Sequence, residues 1–259
     1  MLLKNNKLKT AFAENRQTYG TWITMSHILI PEIMSQAGFD WLCVDMEHSV
    51  IDYYEAEKLI ASIDANNCVP YVRVGANDPV IIKRVLDAGA KGIIVPMVNS
   101  KEDAIKAVSS VRYPPMGKRG VGLARAQGYG FEFDEYAEKL NDETIIIAQI
   151  EHIDAINNLE DILQVDGIDG TIIGPYDLSG SMGKPGQYDD ADVKVQLKRY
   201  EDVSIKLGKS MGYHVIKPDH SHVLKKIDAG YNLIAFSLDT LFLGTICREE
   251  LKLIRNRVK

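Results

Sequence analysis

Short apolar runs alternate along the chain with amphipathic stretches whose apolar positions recur every three or four residues. The runs are TYGTWITM, FDWLCVDME, PYVRVG, KGIIVPMV, TIIIAQIE, GIDGTIIGP, KSMGYHV and YNLIAFSLD, each bounded by Gly, Pro, Asn or Asp, which predicts eight strands. Near-continuous apolar runs such as IIVPMV and TIIIAQI fit parallel strands covered on both faces. The stretches between them predict helices. The plainest is DPVIIKRVLDAG, where Asp78 is placed to cap, Pro79 opens the first turn, apolar residues recur at Val80, Ile81, Val85 and Leu86, and Gly89 stops the helix. EAEKLIASIDANN, KEDAIKAVSSVR, DAINNLEDILQ, the stretch from Asp190 to Leu207, HSHVLKKIDAG and TLFLGTICREELKLIRNRV supply further helices.

Eight strands alternating with helices is the rhythm of a (β/α)8 barrel, and 259 residues is its size. A doubly wound sheet is the rival. No GxGxxG follows a strand and no GxxxxGK[ST] occurs, and GSMGKPG after Leu178 has the wrong spacing. The rhythm never changes composition, so one domain over 1–259 is expected. The long irregular stretch YPPMGKRGVGLARAQGYG, Tyr113 to Gly130, carries Lys118, Arg119 and Arg125. A loop of that length predicts a functional or interface element.

Hydrophobic residues make up 46% of the chain, enough for a sizeable core. The net charge of -6 comes from mixed signs without a basic run, which argues against nucleic acid as a partner. MLLKNNKLKTAF is interrupted by lysines and lacks the apolar stretch of a signal peptide. No later run approaches the roughly 18 apolar residues that span a bilayer, so a cytoplasmic protein without a membrane partner is expected. Cys43, Cys68 and Cys247 are odd in number and follow no metal-ligand spacing, which predicts reduced structural thiols.

In such a barrel the chemistry sits where strands end, and these ends are polar. The second strand runs into Asp45-Met46-Glu47-His48, the third into Arg73, the fifth into Gln149-Ile150-Glu151, and the sixth into Gly174-Pro175-Tyr176-Asp177. Period-two alternation puts Gln149 and Glu151 on one side of their strand, and Asp177 ends the neighbouring strand. Two close carboxylates repel unless a cation lies between them or one is protonated. Oxygen-only ligation would suit Mg2+ or Mn2+, with Co2+ a further candidate, and would leave positions for a substrate's oxygens. The alternative is that Glu151 and Asp177 cap the helices that follow or make ordinary salt bridges. His48 stands three residues from Asp45, which could orient its imidazole, and histidine suits proton transfer near neutral pH; the alternative is a loop histidine bonded to solvent. Arg73 could clamp a carboxylate or stabilise an oxyanion. His27, His152, His214, His220 and His222 lack ligand spacing and are expected at the surface.

AGFDWLCVDMEH, VRVGANDPVIIKRVLDAGAKGIIVPMV, RYPPMGKRGVG, AQIE and GIDGTIIGPYDLSGSMG together resemble the HpcH/HpaI aldolase family, particularly its 4-hydroxy-2-oxo-heptane-1,7-dioate aldolase branch. The resemblance covers nearly the whole chain in order. It implies a class II, metal-dependent pyruvate aldolase on a (β/α)8 barrel, which cleaves a 4-hydroxy-2-oxo acid to pyruvate and an aldehyde. It also implies a homo-oligomer, a hexamer built as a trimer of dimers that exchange C-terminal helices. His48 then corresponds to the base, Arg73 to the transition-state stabiliser, Glu151 and Asp177 to the metal ligands, and Gln149 to a substrate contact. Gly174 and the backbone at Tyr176 correspond to positions facing pyruvate's carboxylate. Asp87 matches an acid that raises the basicity of a neighbouring subunit's histidine, whereas its place in a helix's last turn predicts only a solvent-exposed aspartate.

Two stretches depart from the pattern. Many relatives have a small residue where Tyr176 stands, and GYHVIKPD differs as well; both bear on the choice of aldehyde. Arg119 and Arg125 leave an acidic acceptor open. A class I aldolase would need a strand lysine, and Lys217 is the nearest candidate. A citrate lyase or malyl-CoA lyase type of CoA-ester lyase would share the carboxylates but would want a basic tract for CoA. A barrel that binds a 2-oxo acid without turning it over would not need acid, base and arginine together.

Overall fold

The structure is a computed structural model describing residues 7–257; residues 1–6 of the lysine-interrupted N-terminal segment and Val258 of the last predicted helix lie outside them. Eight parallel strands close into a barrel in sequence order: β1 Thr18–Ile23, β2 Trp41–Asp45, β3 Val69–Arg73, β4 Gly92–Val95, β5 Ile145–Ile150, β6 Gly170–Ile173, β7 Ser210–Val215 and β8 Leu233–Leu238. β8 pairs back onto β1. Seven of the strands lie inside the runs read from the sequence, and β3 begins one residue before its run PYVRVG, at Val69.

The helices are α1 Lys7–Ala13, α2 Leu29–Ser35, α3 Tyr53–Ala65, α4 Pro79–Asp87, α5 Lys101–Val111, α6 Phe133–Glu143, α7 Ile153–Asn157, α8 Leu159–Leu163, α9 Pro175–Ser181, α10 Ala191–Lys206, α11 His220–Asp228 and α12 Asp239–Arg257. The Asp78 carboxylate accepts from the amides of Val80 (2.8 Å) and Ile81 (3.2 Å) with Pro79 in the first turn, as the residue types require. The single helix expected over DAINNLEDILQ is two, α7 and α8. Asn158 stands at the break, outside helical geometry, and its side-chain amide donates to the carbonyl of Asn99 at 2.9 Å.

Alternation along the strands separates two apolar regions. Leu42 and Val44 of β2, Val72 of β3, and Ile146, Ala148 and Ile150 of β5 join the layer beneath the helices. Trp41, Cys43, Tyr71, Ile145 and Ile147 point into the barrel, where Leu8 and Phe12 of α1 join them. Large and small residues interlock there. A Cβ on Gly20 would lie 2.0 Å from the Trp41 ring, and one on Gly92 would lie 2.5 Å from the Tyr71 ring, so each ring fills space that a neighbouring strand's glycine leaves open. The two rings stack at 5.4 Å. The same inward series continues past the apolar layer: Cys43 to Asp45 on β2, Tyr71 to Arg73 on β3, and Ile147 to Gln149 and Glu151 on β5. The barrel interior is thus apolar below and ionisable at the mouth.

Cys43 and Cys68 are buried free thiols, as expected, but Cys247 is exposed on α12. No helix among the described residues is long and apolar enough to cross a membrane.

Candidate active site

Parallel pairing sets Asp45 opposite Arg73, and the Asp45 carboxylate grips the guanidinium at both ends: Nε to Oδ1 at 2.9 Å and Nη2 to Oδ2 at 2.6 Å. Burial alone would make Arg73 easier to deprotonate, but the hydrogen bonds and charge of Asp45 outweigh it and raise its pKa. The guanidinium lies over the Trp22 ring, 4.3 Å from its centre, and its Nη1 reaches Gln149 Oε1 at 3.5 Å. The arginine is therefore fixed on three sides, as a group that must meet one substrate atom should be.

Asp45 also accepts from the backbone amides of Glu47 (3.1 Å) and His48 (3.2 Å), so it shapes the turn that presents His48. The carboxylate near the imidazole is that of Glu47, with 3.7 Å between Glu47 Oε2 and His48 Nε2. Sequence reasoning passed over Glu47. It stands 3.3 Å from Arg73 Nε and 3.4 Å from Gln149 Nε2. Burial raises its pKa, Arg73 pulls it down, and the charge of Glu151 raises it again. The His48 side chain is 66% exposed at the rim, open to a substrate hydroxyl.

Glu151 is buried. Its Oε1 accepts from the amide of Met97 at 2.8 Å and its Oε2 from Gln149 Nε2 at 2.5 Å. The capping alternative does not describe it: the residue capping α7 is His152, which accepts from the Asp154 amide. Asp177 lies within the first turn of α9, whose cap position is Gly174. Both carboxylates border one small gap. A Cβ on Gly174 would lie 3.3 Å from Glu151 Oε2 and 3.7 Å from Asp177 Oδ2, so the missing side chain keeps open a space between two anionic oxygens. Such a pair fits a divalent cation whose remaining positions go to water and substrate. No group of three or more His, Cys, Asp or Glu among the described residues could hold a metal ion, so a cation here would rest on these two.

The gap opens into a cavity of about 680 Å3 lined by Trp22, Arg73, Gln149, Glu151, Tyr176 and Asp177 among others. Tyr176 belongs to its wall, next to Gly186, where a Cβ would come 3.4 Å from the ring. His214, expected at the surface, also lines the cavity. It is packed edge-on against Trp22 at 5.6 Å, and its Nε2 lies 3.2 Å from the carbonyl of Ser237. Burial lowers its pKa to about 4. Unfolding returns it to a normal histidine, so between about pH 6.5 and 4 the unfolded chain binds more protons and stability falls as pH falls. Thermal melts of the wild type and of His214→Gln across pH 4–7 should show a shallower decline in the variant.

Asp87 and the long loop occupy the other end of the barrel. α4 runs back from the mouth, and Asp87 in its last turn pairs with Arg119 Nη2 at 2.5 Å and accepts from Gln127 Nε2 at 3.3 Å. It is not a free solvent aspartate. Arg119 is buried and also gives a hydrogen bond to Tyr136 Oη at 3.1 Å. Arg125 pairs with Asp64 at 3.0 Å and reaches the Ala88 carbonyl. Both arginines therefore brace the loop against α3 and α4 of their own chain, which removes them as recognition groups for an acidic acceptor in its own mouth.

A closed parallel barrel with an arginine, an imidazole and paired carboxylates where its strands end has the layout of a barrel enzyme. A model of the HpcH/HpaI aldolase/citrate lyase family matches residues 18–240. The chain is 37% identical to the hydroxypyruvate/pyruvate aldolase of Sagittula stellata, over 95% of this chain and 96% of that one. It is 35% identical to the 4-hydroxy-2-oxo-heptane-1,7-dioate aldolase of Shigella sonnei, over 92% and 91%. A solved HpcH/HpaI aldolase/citrate lyase family protein from Burkholderia cenocepacia superposes with a TM-score of 0.92 at 32% identity, over 97% of this chain and 100% of that one. The chain belongs to the HpcH/HpaI aldolase/citrate lyase family, and it is an aldolase, a carbon–carbon lyase.

Proposed function

We propose that the protein catalyses metal-dependent, reversible cleavage of a 4-hydroxy-2-oxo acid to pyruvate and an aldehyde. The observation that carries this is the gap at Gly174, bordered by Glu151 and Asp177, within one cavity that Arg73 also lines. Mg2+ or Mn2+ held by these carboxylates, or Co2+ in their place, would act as a Lewis acid toward the 2-oxo group and offset charge on its oxygen. The chain's own residues supply the rest. Glu151 is presented by Gln149 and the Met97 amide, so its carboxylate is aimed before any ligand arrives. Pro175 has no amide hydrogen, and the amides of Tyr176 and Asp177, at a helix start, are free to receive the substrate's carboxylate beside Gly174.

His48 takes the proton from the 4-hydroxyl, directly or through water. The O–H electron pair becomes the aldehyde C=O, and the C3–C4 bond breaks. Its electrons pass into the enolate of pyruvate, whose oxygen Arg73 stabilises, and return of a proton to C3 completes pyruvate. Glu47, with its Oε2 3.7 Å from His48 Nε2, stands where it can orient the imidazole as it takes the proton. Pyruvate released from a 4-hydroxy-2-oxo acid, followed with lactate dehydrogenase and NADH, tests the assignment; the absence of metal-dependent release across a panel of such acids would refute it.

The same reading takes the protein to be a homo-oligomer, a hexamer, in which Asp87 serves the His48 of an adjoining subunit. Support comes from apolar side chains left exposed on α12 (Leu243, Ile246, Leu253, Ile254) and along the long loop (Val121, Leu123), a pattern that marks interaction surfaces. His48→Ala removes the base and should slow cleavage roughly 10²–10⁴-fold, and Asp87→Ala should slow it as well. Co-expression of the two variants should restore activity above either alone, since some sites would combine an intact histidine with an intact aspartate. No restoration in mixed oligomers would place Asp87 outside the site.

A further inference from the structure

The cavity at the mouth, about 680 Å3, is far larger than a three-carbon oxo acid needs and lies in the range that holds drug-sized ligands. Its lining is electrically divided. Among the described residues Glu151 and Asp177 are the only carboxylates in it, while Lys217, Lys225 and Lys226 supply cations, and His222 an imidazole, on the β7 and α11 side. His222, Lys225 and Lys226 are spaced i, i+3, i+4, so they share one face of α11, and Lys217 lies in the loop that joins β7 to α11.

These cations differ in what they already do. Lys226 rests on the Tyr213 ring, with Nζ 3.8 Å from its centre. Burial lowers its pKa while Glu201 pulls it up, so it is partly answered by its own chain. Asp219 caps α11 through the Ser221 amide and lies near His222 and His220, but it does not line the cavity. Among the described residues neither Lys217 nor Lys225 has an ion pair or side-chain hydrogen bond, and both residues line the cavity. The tyrosine wall of Tyr176, Tyr188 and Tyr213 gives a substrate's carbon chain something apolar to lie along between the two ends.

We propose that Lys217 and Lys225, with His222, form a subsite for a phosphate group at the far end of the aldehyde, so that the preferred acceptors are phosphorylated aldehydes. This rests on the aldolase reading of the carboxylate end. A phosphate monoester brings close to two negative charges and three acceptor oxygens at neutral pH, which two free ammonium groups and an imidazole can each engage. A terminal carboxylate brings one charge and leaves the second lysine unanswered. Lysine serves phosphate as a compact point charge, and barrel enzymes commonly bind phosphate in the loops after strands 7 and 8, where Lys217 stands. The reaction leaves the phosphate untouched: addition joins C3 of pyruvate to the aldehyde carbon, whose oxygen takes up the proton.

The test is the aldol addition of pyruvate to D-glyceraldehyde 3-phosphate and to D-glyceraldehyde, run on the full-length, metal-loaded enzyme. The expected kcat/KM is roughly tenfold or more in favour of the phosphorylated aldehyde, mainly through KM, as engaging a charged group implies. Lys217→Met and Lys225→Met should each shrink that ratio, and the double variant should bring it near unity. A ratio near unity in the wild type, a ratio unchanged in the double variant, or succinate semialdehyde surpassing the phosphorylated acceptor would each overturn the subsite. Exchange of pyruvate's methyl protons in the same preparations separates the two readings: exchange without phosphate preference removes the subsite alone. If exchange is absent the aldolase reading fails, and calorimetric titration with glycerol 3-phosphate decides the subsite. Binding that is lost in the double variant supports it, and no binding in the wild type overturns it.

Discussion

Replacing Glu151 with glutamine, or Asp177 with asparagine, is expected to cut aldol cleavage by about a thousandfold while leaving the barrel folded. Both changes keep side-chain shape and remove one negative charge. Glutamine at 151 still offers an oxygen to the Met97 amide; its NH2 then faces Gln149, whose own amide must flip to accept from it in place of donating, a local change that keeps the packing around it. What is lost is half of the charge around the gap at Gly174. A bound cation contributes several kcal/mol of transition-state stabilisation, and each tenfold in rate is 1.36 kcal/mol. Calorimetric titration with Mn2+ should show binding in the wild type and none in either variant, while melting temperatures stay within a few degrees. Either variant binding Mn2+ as the wild type does would contradict the assignment of that carboxylate.

Arg73→Lys is the second large effect. Lysine keeps a positive charge but cannot form the two-pronged contact with Asp45 or lie flat over Trp22. Loss of a positioned donor to a developing oxyanion costs roughly 10²–10³-fold in kcat. KM for the hydroxy-oxo acid should change much less, because the bound substrate's oxo oxygen carries little charge and the charge Arg73 answers develops only on the way to the enolate. Arg73→Ala would add a second injury, a buried Asp45 without its partner, at about 3–5 kcal/mol of stability. Comparing the two variants by melting temperature and kcat therefore separates the chemical role of the arginine from its structural one. Equal activity in Arg73→Lys and wild type would mean that charge alone suffices and that the fork with Asp45 is only architectural.

Much of this site follows from simple periodicity. Alternation in TIIIAQIE puts Gln149 and Glu151 on the inward face with Ile145 and Ile147, so an oily strand ending in a carboxylate describes a barrel wall reaching its mouth. The same alternation was available for His214, which shares the inward side of β7 with Gly212, but a histidine without ligand spacing gave no reason to apply it. Pairwise contacts were less legible. Asp45 is three residues from His48 along the chain, yet its carboxylate belongs to Arg73, because the β2–β3 register sets them side by side. Glu47, one residue from His48, takes the place near the imidazole that proximity had suggested for Asp45. The partners of Arg119 and Arg125 lie on α4 and α3, tens of residues earlier, and no local pattern announces them. The role proposed for Asp87 comes only from the family resemblance, since a role for another subunit would leave no trace in the periodicity of one chain.

The claim on which these expectations depend is that a cation held by Glu151 and Asp177 lets this chain form pyruvate enolate. Exchange of pyruvate's methyl protons in D2O, followed by proton NMR with and without EDTA, measures it without knowledge of the natural aldehyde. The expected result is exchange supported by Mg2+ or Mn2+, abolished by excess EDTA and restored when metal is returned. Exchange that persists undiminished in excess EDTA would contradict it.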